Sequence, residues 1–385
     1  MSDALRLEVY ARAPHDMSSS LIFKSTKYLD VRYIPETLQG RKKEQTLLEK
    51  RILRPLARGD VPRNQLLFGP TGSGKTVCVR QILKQIPSDV LKCYIVADMS
   101  VYQILKSIAG EFGADITELN IHTNEYWKRV QKAADGRTVC IILDEIDKML
   151  IKNRKNDFSL LYKFSREMDA CVIGVTNNLL FEQMIRDDRD RSSFLYDEII
   201  FSPYNANELR DILEIRASMA FQEGVLDETV VPLVSAFAAS KNGDARYGLD
   251  LLSLCGNICE EEDRDHVTED DVRQAQRIAD MMLVYRAVNK LTSSQKLLLY
   301  AIYTTRGTSP TTIYACYNKL ISDGMNGSKL TTKWLSILAQ ELELLGFVDI
   351  YRKGRGRGRG TDFTIQPSGS IDRKYMVETL TSMIV

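Results

Sequence analysis

The sequence predicts an α/β protein: a parallel sheet carrying a phosphate-binding loop, then an all-helical domain, then a small domain of helices and one hairpin. Three observations predict it. Gly69-Pro70-Thr71-Gly72-Ser73-Gly74-Lys75-Thr76 fits the G-x-x-x-x-G-K-[ST] pattern between an apolar run and a helical one. Four apolar runs (65–68, 91–97, 139–143 and 170–176) alternate with helical patterns, as parallel strands joined by crossover helices do. From Asn205 to Arg286 the pattern is helical only, and from about Leu291 three helical segments precede a hairpin.

The first run, Gln65-Leu66-Leu67-Phe68, reads as a strand entering the loop, and Val77-Cys78-Val79-Arg80-Gln81-Ile82-Leu83 reads as the helix leaving it. The glycines let successive backbone N–H groups point inward, with the positive end of the helix behind them. In that cradle Lys75 would neutralise the β- and γ-phosphates of a nucleoside triphosphate, and the Thr76 hydroxyl would hold Mg²⁺. The run Val139-Cys140-Ile141-Ile142-Leu143 reads as a central strand and ends in Asp144-Glu145. Carboxylates at the tip of such a strand lie where doubly wound sheets bind ligands. Asp144 is placed to hold the Mg²⁺ shell and Glu145 to polarise the attacking water.

The bulk numbers narrow the class. With 385 residues, two to three domains are expected. Net charge is +1, so any nucleic-acid surface must be a local patch. No apolar stretch approaches the ~20 residues a membrane span needs, and no signal-peptide pattern opens the chain. The seven cysteines show no zinc-ligand spacing and read as buried thiols of a reducing compartment, so a soluble intracellular protein is expected. Residues 1–30 read as a partly ordered arm. In the helical block, Thr268-x-x-Asp271 marks a helix start, and Val267, Val272, Ala275 and Ile278 keep a helical period.

The last block reads as helices Ser294–Tyr303, Thr311–Ile321 and Thr331–Leu345, then a hairpin from Phe347 to Ile365. In the third helix Trp334, Leu338, Leu342 and Leu345 are expected to be buried. Lys333, Ser336 and Gln340 would face outward, free to touch bases or phosphates. The hairpin carries Arg352, Lys353, Arg355, Arg357 and Arg359 among glycines, a basic tip suited to phosphates or a minor groove. Three helices with a basic wing make a winged helix-turn-helix. A solvated charge run on a protein-contact domain is the alternative.

The chain resembles the archaeal replication initiators related to the origin recognition complex and the cell-division-cycle loader, within the AAA+ ATPases. The matching residues are Tyr33-Ile34-Pro35-Glu36 with Arg41, the loop 69–76, Leu143-Asp144-Glu145-Ile146-Asp147, Gly174-Val175-Thr176-Asn177-Asn178, Phe201-Ser202-Pro203-Tyr204 and Gly243-Asp244-Ala245-Arg246. The resemblance implies an AAA+ core (31–203), a helical lid (204–288) and a winged-helix domain (289–385). It implies that Tyr33, Ile34 and Arg41 line the adenine side, with Tyr204 also in the nucleotide pocket. Asn177 resembles the sensor at a neighbouring strand tip, and Arg246 the lid arginine that reaches the phosphates. The family's trans-acting arginine is similar to Arg189, with Arg186 and Arg191 competing; a proline common there is replaced by Asp188. The segment Asp98–Phe112 corresponds to an initiator-specific DNA-contacting helix, here with a short lead-in and Lys106 as its cation.

On this reading the chain is a slow, Mg²⁺-dependent ATPase, with ATP and ADP as alternating ligands and hydrolysis as a switch. It binds double-stranded origin DNA and helps recruit or load the MCM helicase with initiator paralogues. It is expected to be a monomer in solution, multimeric on DNA, cytoplasmic and nucleoid-associated. The alternatives are a nucleotide-bound DNA-binding regulator without significant turnover, and a clamp-loader-like AAA+ ATPase. The latter would need a C-terminal helical collar.

Overall fold

The computed structural model describes residues 20–118, 122–152, 160–185, 187–305, 308–354 and 361–384. These divide into two compact units, 20–272 and 273–384. In the first, β1 (Asn64–Phe68), β2 (Leu91–Val96), β3 (Val139–Asp144), β4 (Ala170–Thr176) and β5 (Tyr196–Ile200) form a sheet in the order β2-β3-β4-β1-β5. Every pairing is parallel. β1, β3 and β4 are buried along their whole length, as central strands covered on both faces must be.

The four strands expected from apolar runs are present; β5 is an addition. Its sequence Tyr-Asp-Glu-Ile-Ile has no apolar run, because an edge strand with one buried position, Ile199, can carry two acids.

Helices α1 (Lys42–Leu48), α2 (Lys75–Gln85), α3 (Val101–Glu111), α4 (Thr123–Ala134), α5 (Ile146–Lys152) and α6 (Leu160–Arg166) cover the two faces. Successive strand residues point to opposite faces. Ile141 and Leu143 therefore meet Ile104, Leu105 and Trp127 on one side, while Cys140 and Ile142 meet Val79 and Ile82 on the other.

The helical part of this unit holds α7 (Ala206–Ala220), α8 (Val230–Ser240) and α9 (Ala245–Glu261). Asn205 starts α7 with a capping box closed by Glu208. From Ser20 on, the expected arm is folded onto this helical part. Ile22, Phe23 and Leu29 are buried, and the Phe23 ring lies 4.9 Å from Phe221. Gly256 of α9 makes room, since a Cβ there would overlap the Phe23 ring. Helix α10 (Glu269–Asn289) begins here, with Asp271 accepting from the Thr268 N–H at 2.8 Å. Val267, Val272 and Ala275 are buried as their spacing requires.

The second unit contains α11 (Ser293–Thr304), α12 (Pro310–Ser322), α13 (Thr332–Leu344), the antiparallel pair β6 (Val348–Gly354) and β7 (Thr361–Pro367), and α14 (Arg373–Ile384). It is a winged-helix domain with its own core, built from Leu298, Ile302, Ile313, Leu335, Leu342 and Ile365 among others. The face of α13 is turned from the expected one. Leu335, Ala339 and Leu342 are buried, whereas Trp334 and Leu345 are more than half exposed. The run Leu335-Ser336-Ile337-Leu338-Ala339 offers two adjacent helical stripes, and packing against α11 selects the one that contains the small Ala339. The wing arginines Arg355, Arg357 and Arg359 lie outside the described residues, as does Arg186.

Candidate functional site

The phosphate-binding loop leaves β1 and enters α2, and three elements close over it. Two glycines show why the motif needs them. Gly74 sits at φ +89 and Gly72 at φ +72, conformations that side chains rarely adopt. A Cβ on Gly74 would overlap the Tyr204 hydroxyl, and one on Gly72 would overlap the Asp244 carboxylate that caps α9.

Around this loop lies a cavity of about 330 Å³. It is lined by Thr71 to Val77, Asp144 and Glu145 at the tip of β3, and Asn177 just past β4. From the helical part come Tyr204, Arg216 and Arg246. Of the residues expected to bind a nucleotide, Lys75, Thr76, Asp144, Glu145, Asn177, Tyr33, Tyr204 and Arg246 are brought together here, with Thr71, Gly72, Ser73 and Gly74. Gly69, Pro70, Ile34 and Arg41 are not in its lining.

Lys75 is buried, and its ammonium donates to the Gly69 carbonyl at 2.6 Å and the Pro70 carbonyl at 2.8 Å. Burial pulls its pKa down to about 8; Asp144 opposes the shift, while Arg246 and Arg41 add to it. The Thr76 hydroxyl donates to Asp144 Oδ2 at 2.8 Å, and the Tyr94 hydroxyl reaches the same oxygen at 2.5 Å. Burial first, and then this carboxylate, push Tyr94 up to about 12. Glu145 adopts φ +58, and its Oε2 accepts from Lys148 Nζ at 2.7 Å. Lys148 also faces Asp98 at 3.6 Å.

Arg41 is a buried clamp behind the loop. Its Nε donates to the Ser73 carbonyl at 2.8 Å and its second terminal nitrogen to the Ser202 carbonyl at 2.5 Å. Its guanidinium carbon lies 3.8 Å from the Tyr204 ring centre. The apolar end of the cavity is made by Val31, Tyr33, Ile212, Ile215 and Leu249. Arg216, buried there, donates to the carbonyls of Tyr28 and Asp30 and stacks 4.7 Å over Tyr33.

The residues fit a nucleoside triphosphate with Mg²⁺. The Tyr204 hydroxyl is buried on the loop without a hydrogen-bond partner, and the loop beside it turns through left-handed backbone at Gly72 and Gly74. Thr76 and Asp144 supply the one or two hard oxygens that Mg²⁺ takes from protein when phosphates and water supply the rest. All seven cysteines are free, and no His/Cys/Asp/Glu cluster able to hold a metal occurs among the described residues.

Sequence reasoning missed Arg216, Tyr94 and Lys148. Lys148 had a signal, three residues after Glu145 on a helix. Arg216 and Tyr94 act across long sequence separations and left none. Arg189 is exposed beside the Asp187 cap, and Arg191 pairs with Asp188 at 3.3 Å. Lys106 is half-buried on α3, whose other face is core. In the winged-helix unit, Lys333, Gln340 and Lys353 are exposed. Ser336 is half-buried and tied to Tyr314 at 3.1 Å. Arg352 is held in a two-pronged pair by Glu343, at 3.1 and 2.6 Å.

Two family models match: the AAA domain over 60–184 and the Cdc6 AAA+ ATPase-type lid domain over 210–277. The chain is 41% identical over 362 residues to an ORC1-type DNA replication protein of Methanothermobacter thermautotrophicus, covering 93% of this chain and 97% of the relative. It is 34% identical to ORC1-type DNA replication protein 1 of Archaeoglobus fulgidus, covering 94% and 92%. The Aeropyrum pernix ORC1 protein, solved in complex with DNA, superposes with a TM-score of 0.78 at 32% identity over 94% of this chain and 98% of that one. With a core, a lid and a winged helix like these, and identity of this extent along nearly its whole length, the chain belongs to the family of ORC1-type DNA replication proteins within the AAA+ ATPases.

Proposed function

We propose that the chain is an ATP-regulated replication initiator. It binds duplex origin DNA and, with initiator paralogues, helps recruit or load the MCM helicase. It acts in the cytoplasm at the nucleoid, as a monomer in solution that assembles on DNA, where Arg189 would serve a neighbouring copy. The domains are an arm (1–30), core (31–203), lid (204–288) and winged helix (289–385). The observation that carries the reading is the convergence of Lys75, Thr76, Asp144, Glu145, Asn177 and Arg246 on one cavity in a chain of this family.

ATP supplies the phosphoanhydride bond that is cleaved. Lys75 exchanges its two loop carbonyls for phosphate oxygens. Thr76 and Asp144 hold Mg²⁺, and Asn177 and Arg246 orient the terminal phosphate from the core and lid sides. Glu145 takes the proton of the attacking water, which requires its carboxylate to leave Lys148. Both side chains of that pair are nearly half exposed, so releasing it costs no more than about 1 kcal/mol and leaves hydrolysis open to Glu145.

For DNA, Lys333 and Gln340 on α13 and Lys353 with Arg355, Arg357 and Arg359 on the wing are the proposed contacts. Ser336, Arg352 and Lys106 contribute less, because their polar ends or stems are engaged. That the Aeropyrum pernix relative was solved in complex with DNA supports a DNA-binding role, not the choice of residues.

The test is Lys75→Ala in the full chain, with ATP turnover, nucleotide affinity and origin footprinting measured together. Hydrolysis and most nucleotide affinity should vanish while the fold survives. Unchanged turnover in a folded variant rejects the site, and the absence of a wild-type footprint on the genome's own origins rejects the DNA role.

A further inference from the structure

Tyr94 belongs to no phosphate-loop motif, yet it touches the residue on which the proposed metal site depends. In the parallel pair β2–β3, Val96 is the register partner of Asp144. Tyr94, two residues earlier, therefore shares a sheet face with Val96 and leans along the strand toward that carboxylate. Its hydroxyl donates to Asp144 Oδ2 at 2.5 Å, the oxygen that also accepts from Thr76 at 2.8 Å. The other oxygen, Oδ1, accepts from the Glu145 N–H at 3.0 Å. Behind the phenol, the Arg80 guanidinium of α2 lies 4.4 Å from the ring centre, so the helix leaving the phosphate loop fixes the ring in turn.

We propose that Tyr94 is the positioning residue for the metal-holding carboxylate, locking Asp144 so that Oδ2 stays beside the Thr76 hydroxyl. The inference rests on the nucleotide reading of the cavity and adds a residue to it. Bonds of this kind, from a hydroxyl to an ionised carboxylate, are short and strong. Partners one step behind a metal ligand typically contribute 10–100-fold to metal affinity. Without the phenolic proton, Asp144 keeps one side-chain donor on Oδ2 and gains freedom to turn about its side-chain torsions.

The experiment is Tyr94→Phe in the full chain, which removes one oxygen and leaves the ring under Arg80. Binding of a fluorescent ATP analogue is titrated with Mg²⁺, and repeated with the metal chelated. The Mg²⁺ midpoint should rise about tenfold, within the range for such partners, while metal-free affinity stays at the wild-type value and the protein remains folded. An unmoved midpoint overturns the proposal. So does a parallel fall in melting temperature and metal-free affinity, which would make Tyr94 merely structural. Asp144→Asn separates the two layers of the argument. If it shifts the midpoint and Tyr94→Phe does not, only the Tyr94 role fails. If neither shifts it, the metal reading of the cavity fails with it.

Discussion

Burial decides how Lys75 behaves, and the consequence is a pH dependence. The ammonium has a pKa of about 8 in the nucleotide-free fold, against 10.5 for the ordinary side chain. Between these values the unfolded chain holds the proton and the folded one has lost it, so this group alone makes the free protein more stable as pH rises there. Nucleotide binding runs the other way, because phosphate oxygens favour the charged amine and raise its pKa again. Affinity for ATP should therefore be flat below about pH 8 and weaken above it, approaching tenfold per pH unit. Fluorescence titrations from about pH 7 to about pH 9.5 at fixed ionic strength would show this, and a flat profile would contradict it. Glu145 gives a second test at this scale. Glu145→Gln keeps the shape of the side chain but removes the base, so ATP should still bind while turnover falls by at least ~10². If binding is lost as well, Glu145 holds the metal or the fold instead.

Between the residues and the whole stand the elements that Arg41 joins. Its guanidinium ties the phosphate loop, through the Ser73 carbonyl, to the segment leaving β5, through the Ser202 carbonyl. Removing it leaves two carbonyls without their donor, at a cost of about 1–3 kcal/mol for each that stays dry. Arg41→Ala should lower the melting temperature and shrink the rise that ADP produces, and Arg41→Lys should restore only part, because one ammonium cannot replace a planar fork stacked on Tyr204. A full ADP-induced shift in Arg41→Ala would show that the clamp does not couple to the site. Such cross-links also mark where the sequence stopped being legible. The loop and the buried strands could be read because their signal is local: a fixed spacing of glycines, and apolar runs in β3 and β4. β5 could not, since an edge strand buries too little to need an apolar run. On α13 the apolar residues were visible but not the stripe the core selects. The contacts of Arg41 could not be read, because its carbonyl bonds to Ser73 and Ser202 and its stacking on Tyr204 run across the fold and leave no periodicity.

At the scale of the molecule, a chain with net charge +1 has to draw DNA with a local patch, and the winged-helix unit carries the only glycine-spaced run of arginines in the sequence. Arg352 at its base is engaged with Glu343, so neutralising it should loosen the hairpin rather than change how binding depends on salt. Arg355, Arg357 and Arg359 are the residues to neutralise. Each phosphate contact contributes ~0.9 to the slope of log affinity against log salt. The triple variant should bind duplex DNA more weakly, with a slope shallower by roughly two to three. ATP binding should not change, because the cavity is built entirely from the other compact unit. Sequence preference should partly survive, because Lys333 and Gln340 remain exposed on α13. Wild-type affinity and slope in the variant would mean that the wing is not a DNA element. The exposed Trp334 and Leu344 on α13 would then be better read as part of a surface for another protein.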